Sequence, residues 1–327
     1  MPYIVSVILN ILTTGLPCVL LALGIFLTFR VLDFADLTAE GSFLVGASVT
    51  GMMISLNINP FLATFCGMLG GVLCGLITGF LNRFLKIPKL LSGIITMTAS
   101  ATIAMFIMGF SQKNKTFWSL VTLNPDPAGG SQNQTIYSAF YIIKGVDHQV
   151  IQAVVMGIFI VVMIVALYYF FGTEYGMAIR CTGMNEKMAR SQGINTTGAT
   201  MACIAISNGL IGLGGALYVQ EKLSVATISA TGYLVVGLAS ILIGEAIFGT
   251  RSFKNWLISI ALGTIVYFIL YQITIELNFP TELDNLLYAI LITIGLCMPA
   301  IKKGCRGLWK KFMSLFKKEK VESEVSK

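Results

Sequence analysis

Charge is scarce in this chain. Lys, Arg, Asp and Glu make up 11% of its 327 residues, against 56% hydrophobic residues. A soluble domain carries about 25% charge and about 45–50% apolar residues. So few polar groups cannot cover a water-facing surface, which excludes a soluble enzyme. The same hydrophobicity excludes an intrinsically disordered chain. Histidine is rarer still, with His148 alone. No histidine-based metal centre or catalytic triad can be built from one ring, and His148 reads as an ordinary loop residue.

Other absences narrow the chemistry. The seven cysteines, at 18, 66, 74, 181, 203, 297 and 305, form no CxxC pair. Most sit in apolar runs, where a thiol behaves as a small hydrophobe, so neither a disulfide framework nor a zinc site is read from them. No span carries a Ser-His pair or a metal cluster, which argues against a membrane-embedded enzyme. The G-x-x-x-x-G-K-[ST] loop is missing, so a transporter built on this chain that runs on ATP needs a separate ATPase. That absence fits a channel or an ion-driven carrier equally well. Residues 1–29 hold no Lys or Arg, unlike a signal peptide. They read as a retained span with a kink or break at Pro17.

What the chain does contain is long apolar runs, at about 3–29, 40–56, 61–81, 91–110, 150–171, 198–220, 230–248, 255–276 and 283–301. Such runs cross bilayers as helices, because only helices or closed barrels satisfy their backbone in lipid; barrel strands would be short and alternating. The expected fold is an all-α polytopic membrane protein of nine or ten transmembrane helices. Residues 1–301 form the transmembrane domain, 172–197 a cytoplasmic loop, and 302–327 a basic cytoplasmic tail. The 33 glycines predict close helix packing.

Lys and Arg set the orientation. Loops 82–90, 172–197 and 249–254 and the tail hold seventeen of the 22, nine of them from Lys302 onward, whereas the alternate loops hold four. The tail marks the cytoplasmic side by attraction to anionic lipid rather than a nucleic-acid partner, since no folded basic face accompanies it. Arg30 remains. Either the N-terminus is outside with nine crossings, or residues 30–40 form a broken or re-entrant element and the N-terminus is inside. The polar loop 111–149 is either a surface for an external partner or a solvated connector.

Residues 172–215 read GTEYGMAIRCTGMNEKMARSQGINTTGATMACIAISNGLIGLGG. The polar part is too long for a simple turn. It predicts a short helix over 185–192, with Asn185 as N-cap and Gly193 as the C-terminal stop. A short amphipathic helix suits docking into a groove of another protein.

The pattern G-x-A-I-R-x-T-G-x-N at 176–185, followed by M-A-R-x-x-G-I-N at 188–195, resembles the coupling loop of ABC importer permeases of the branched-chain amino acid type. Ala189 and Gly193 keep the general permease spacing, while Lys187 and Met188 replace the rest. VLDFADLTAEGSFLVGA (31–47) and VVGLASILIGEAIFG (235–249) are similar to the tryptophan-type uptake branch of that family. The resemblance implies a permease subunit in the cell membrane of a bacterium, with a cytoplasmic C-terminus and no covalent chemistry of its own. Its partners would be cytoplasmic ABC ATPases carrying ATP-Mg, a second permease copy as a homodimer, an extracytoplasmic solute-binding protein and the bilayer. No cofactor would bind this chain. Arg180, Gly183, Asn185, Ala189, Arg190 and Gly193 would couple to the ATPase. The solute would be a hydrophobic or aromatic amino acid such as tryptophan, although relatives also move sugars and nucleosides.

Ionisable groups inside lipid are expensive, at about 2.5–3.5 kcal/mol each. Asp33, Asp36 and Glu40 crowd the start of the second span. Asp36 or Thr38 can cap a half-helix beginning near Ala39. Broken helices in transporters present such ends to solute, so Asp36, Thr38 and Glu40 are candidate pathway residues; the other reading is interfacial acids paired with Arg30. Ser207 and Asn208 either line the pathway or bond helix to helix. Glu245 either pairs with Arg251 to hold a cytoplasmic gate or caps an interface. The alternative to an ABC importer is an ion-driven secondary transporter, for which Asp36 and Glu40 are the available carboxylates.

Overall fold

The structure, a computed structural model, describes residues 3–111, 120–123, 135–137, 148–226 and 232–276, and residue 293. Apart from residue 293, the ninth apolar run, and all of the basic tail, lie outside the described residues. The other eight runs are helices: α1 (Tyr3–Phe26), α2 (Thr38–Ser55), α3 (Pro60–Arg83), α4 (Lys89–Ser111), α5 (His148–Gly172), α8 (Thr196–Lys222), α9 (Tyr233–Phe248) and α10 (Phe253–Glu276). Six are long and apolar enough to cross a membrane; α9 is shorter. Between α5 and α8 lie two short helices, α6 (Glu174–Met184) and α7 (Glu186–Ser191).

Local chemistry sets several boundaries. Asn59 accepts a hydrogen bond from Phe61 N (2.9 Å) and Pro60 opens α3, the preferred cap and first-turn pair. Thr173, Asn185 and Asn195 cap α6, α7 and α8, accepting from Gly176 N, Met188 N and Gly198 N. Pro17 neither ends nor splits α1, which runs through it. The interruption falls later. Leu27–Val31 widens into a π turn, the chain turns left-handed at Asp33 (φ 51°), and helix resumes at Thr38.

Contacts define two ends of the bundle. Lys89 Nζ donates to the Asp33 carbonyl at 2.8 Å, Arg30 pairs with Glu245, and Arg83 pairs with Glu186. The break, the basic loops and the short helices therefore share one end, called here the basic end. At the opposite end Lys222 donates to Thr14 Oγ1 (2.7 Å). α1 thus starts at the opposite end and reaches the basic end before the break, so a single helix precedes residues 32–37. Strands β1 (Leu120–Thr122) and β2 (Ser224–Ala226) pair antiparallel, a small addition to the helical expectation. The Ile136 amide donates to Gln220 (2.9 Å), so the described pieces of the 111–149 segment fold back onto α8.

α1 and α8 are the most enclosed spans. The centre is a layer of α2, α3 and α8 packed at backbone distance. A Cβ on Gly212 would stand 2.9 Å from Gly71 Cα, closer than real Cβ atoms come, and a tight 3.0 Å from the Gly67 carbonyl oxygen. The outer faces carry Phe65, Leu69, Leu73, Ile158 and Val162, all exposed, a belt that suits acyl chains and not water. Replacing Gly212 by Val should overpack this layer, at a cost of about 1–3 kcal/mol, and lower the melting temperature in detergent. Gly157→Ala, where the space is open, should leave it unchanged; equal behaviour of the two variants would contradict the packing account.

Candidate functional site

The interruption between α1 and α2 brings polar groups together at depth. Asp36 is fully buried. Its Oδ1 accepts from Thr38 N (2.9 Å) and its Oδ2 from Asn208 Nδ2 (2.7 Å). Ser42 donates to Asn208 Oδ1 at 2.6 Å. Thr38 Oγ1 lies 2.7 Å from Thr78 Oγ1, and Thr78 donates to the Cys74 carbonyl (3.1 Å). The knot joins α2, α3 and α8. Asn208 is eight residues along α8 from Thr200, which bonds Arg83 at the basic end. At 1.5 Å rise per residue the knot lies about 12 Å deeper.

Asp36, Thr38 and Asn208 are thus gathered, and they face one another. Ser207 points to a different neighbour, donating to the Gly24 carbonyl at 2.7 Å. Glu40 stands apart and accepts from Gly232 N (2.9 Å), where Gly232 (φ 96°) starts α9.

At the basic end α7 matches the helix expected from capping. Asn185 Oδ1 accepts from Met188 N (3.1 Å), Ala189 is buried, and Gly193 takes φ 80°. Its seat was not legible beforehand. Glu186 Oε1 accepts from Arg83 at 2.6 Å and from Arg190 at 3.2 Å, while Arg190 also reaches Thr196 (3.3 Å). The hydrogen bond from Arg83, then the charges of Arg83 and Arg190, hold the Glu186 carboxyl below its ordinary value. Arg83 counted only as a loop charge in sequence. Gly183 of α6 presses on the backbone of Val31 and Leu32, so the short helices touch the chain just before the break.

Glu245 does not pair with Arg251, contrary to the spacing-based expectation. Its Oε2 accepts from Arg30 and its Oε1 from Trp256 Nε1 (2.9 Å). Glu245 lies within α9, whereas Arg251 follows the turn at Gly249 (φ 79°) and is exposed. Trp256 meets Phe26 edge-on at 4.8 Å, and Phe253 lies 5.2 Å from Phe171. Arg180 sits over the Phe253 ring at 5.0 Å.

The opposite end holds a cavity of about 220 Å³ between α1, α8, α9 and α10. Tyr218, Tyr233, Tyr267 and Tyr271 contribute its aromatic walls, and Lys222 a cation. Tyr267 and Tyr271 stand out in the sequence as polar groups of one apolar run, but nothing in it joins them to Tyr218, Tyr233 and Lys222, which come from two other helices. Among the described residues no group of three or more His, Cys, Asp or Glu could hold a metal ion.

The structure is thus a many-helix bundle with six candidate membrane spans, a turn at 32–37 after the first of them, and a docked pair of short helices at its basic end. The description "Branched-chain amino acid transport system / permease component" matches residues 7–296, and the chain belongs to that family. It is similar to a tyrosine transport system permease protein of Clostridioides difficile (strain R20291), at 30% identity over 88% of this chain and 89% of that one. It is also similar to a nucleoside ABC transporter permease protein of Lactococcus lactis subsp. cremoris (strain MG1363), at 25% identity over 73% of this chain and 75% of the other. An uncharacterized protein of Rickettsia prowazekii (strain Madrid E) matches at 24% identity over 88% of this chain and 97% of its own. No solved structure matches. The chain is a multi-pass permease component of an ABC importer in the cell membrane. Its family works with ATPase subunits and a binding protein.

Two outcomes follow from the geometry. Asn208→Leu removes one of the two donors to buried Asp36 and should cost about 1–3 kcal/mol, read as a lower melting temperature. The depressed Glu186 carboxyl stabilises the α7 seat above the ordinary glutamate value near 4.5. That contribution should fall away as pH drops below it through the lowered folded value. Hydrogen exchange over 185–195, compared with Glu186→Gln at each pH, should show the two proteins converging in acid; a constant difference would refute the assignment.

Proposed function

We propose that this chain is the translocating subunit of an importer for aromatic amino acids. It would be supplied by an extracytoplasmic binding protein and driven by ATPases that dock on α6 and α7. The observation that carries the docking reading is a patch of uncovered apolar side chains beyond the end of α5. Met184 is 88% exposed, Tyr175 80% and Met188 61%. They stand beside Lys187 and Arg190 at the basic end, which by the loop charges faces the cytoplasm, away from acyl chains. Flexible methionines suit a groove that changes shape.

The buried faces of the two short helices point the other way. Ile179, Thr182 and Ala189 are buried, and Gly183 bears on Val31 and Leu32. Movement of the pair is therefore delivered to the interruption at 32–37 and to the Asp36–Asn208 knot, which serves as hinge. A second copy of the chain completes the pathway.

The tyrosine-lined cavity supports the solute class. Aromatic walls accept an indole or phenol ring. Lys222 at the cavity is paired with Glu221 (3.3 Å) and would exchange that partner for a solute carboxylate, an exchange open to an amino acid and not to an uncharged nucleoside. The relative named for tyrosine transport agrees with this choice.

The test is reconstitution with the partner ATPase and binding protein in vesicles. Met184→Ser with Met188→Ser should lower ATP-driven tyrosine or tryptophan uptake about tenfold or more, as expected for truncating two docking anchors, while leaving membrane insertion intact. Lys222→Gln should raise the KM for the amino acid. Uptake that persists without ATP and collapses when the proton or sodium gradient is discharged would instead identify an ion-driven carrier.

A further inference from the structure

We propose that the groove between the end of α5, Arg180 in the middle of α6 and the start of α10 binds one anionic phospholipid. The groove has a volume of about 680 Å³. Its cations are Arg180 and Lys254, both exposed. No carboxylate is among its described lining residues, and among the described residues neither cation forms an ion pair. Arg180 is held in place by the Phe253 ring beneath it, a contact that orients a guanidinium without neutralising it.

The surroundings select the ligand. Ile158, Val162, Val165 and Tyr169 are exposed along α5 at spacings of four, three and four, one face of a helix. On α10, Ile258, Leu262 and Ile269 are exposed, and Lys254 is one turn before Ile258 on the same face. Both apolar stripes belong to the belt that meets acyl chains. They run to the same end of the bundle, and there they meet the groove. Tyr168 and Tyr169, 45% and 71% exposed, stand at that level, where amphipathic rings mark the membrane interface. A ligand with two apolar tails and a phosphate fits both parts of this surface: the tails lie on the stripes and the phosphate lies between Arg180 and Lys254. The negative headgroups of the cytoplasmic leaflet supply the charge.

This inference needs only the membrane placement and no particular solute. Arg180 packs over Phe253 of α10 but lies one turn before Met184 on α6, so lipid binding is read on the chain without its ATPase.

The test uses the purified full chain in mild detergent, with native mass spectrometry counting bound lipid during titration. Phosphatidylglycerol should give one tight adduct that phosphatidylcholine does not. Arg180→Gln with Lys254→Gln should weaken it about thirtyfold, the equivalent of about 1 kcal/mol for each cation. Lys254→Gln alone should weaken it partially, and Lys254→Arg should retain it, which separates loss of charge from loss of fold. Millimolar inorganic phosphate should not displace the lipid. Equal affinity for both lipids, an adduct unchanged in the double variant, or displacement by phosphate alone would overturn the proposal. So would a double variant that loses the ATPase while its lipid count stays the same, which would make the groove a protein-docking surface.

Discussion

Inside a bilayer each backbone amide needs a partner, because no water is there to supply one. The interruption at residues 32–37 is where this constraint bears hardest, and much of the architecture answers it. Leu32 N donates back to Leu27 O and Phe34 N to Thr28 O, closing the π turn. The Asp33 carbonyl takes Lys89. Thr38 N finds the Asp36 carboxylate. That carboxylate is itself buried, so it needs the Asn208 amide, and Asn208 in turn takes Ser42. One gap between helices thus recruits side chains from α2, α4 and α8. An unmet donor or acceptor in this chain would cost about 1–3 kcal/mol, and the two donors on Asp36 satisfy a carboxyl group that is buried so deep.

The same gap lies between the parts that would have to move together. Gly183 sits against Val31 and Leu32 on one side. Arg83 bridges Glu186 and Thr200 on another, joining α3, α7 and α8. Arg30 and Glu245 join the π turn to α9, with Trp256 of α10 completing the contact. The rings of Phe26, Phe171 and Phe253 pack α1, α5 and α10 together at this level. The basic end is therefore a contiguous frame of charge pairs and rings, whereas the layer of α2, α3 and α8 is a close contact of glycines. Stiff contacts at one end and smooth ones in the middle favour tilting of whole helices over local deformation.

Much of the fold was legible because it depends on local composition. The apolar runs predicted the spans, since length and hydrophobicity decide who crosses a membrane. Asn185 and Gly193 revealed α7, because caps and left-handed stops carry their chemistry within a few residues. α6 was not foreseen as a helix, although Thr173 followed by Glu174 is a cap-and-acid start. Proline misled at position 17, where the surrounding helices keep α1 continuous. Glu245 was assigned to Arg251 by nearness in sequence, while its actual partner is 215 positions away. The tyrosine cavity and the Arg83–Glu186 seat have the same origin: each is assembled from distant helices, and no window of sequence contains it.

α9 has only 16 residues, about 24 Å of helix, against a hydrocarbon layer of about 30 Å. It starts at Gly232, whose amide donates to Glu40. The shortfall of about 6 Å leaves the Gly232 end of α9 inside the bundle, where protein groups must meet its backbone.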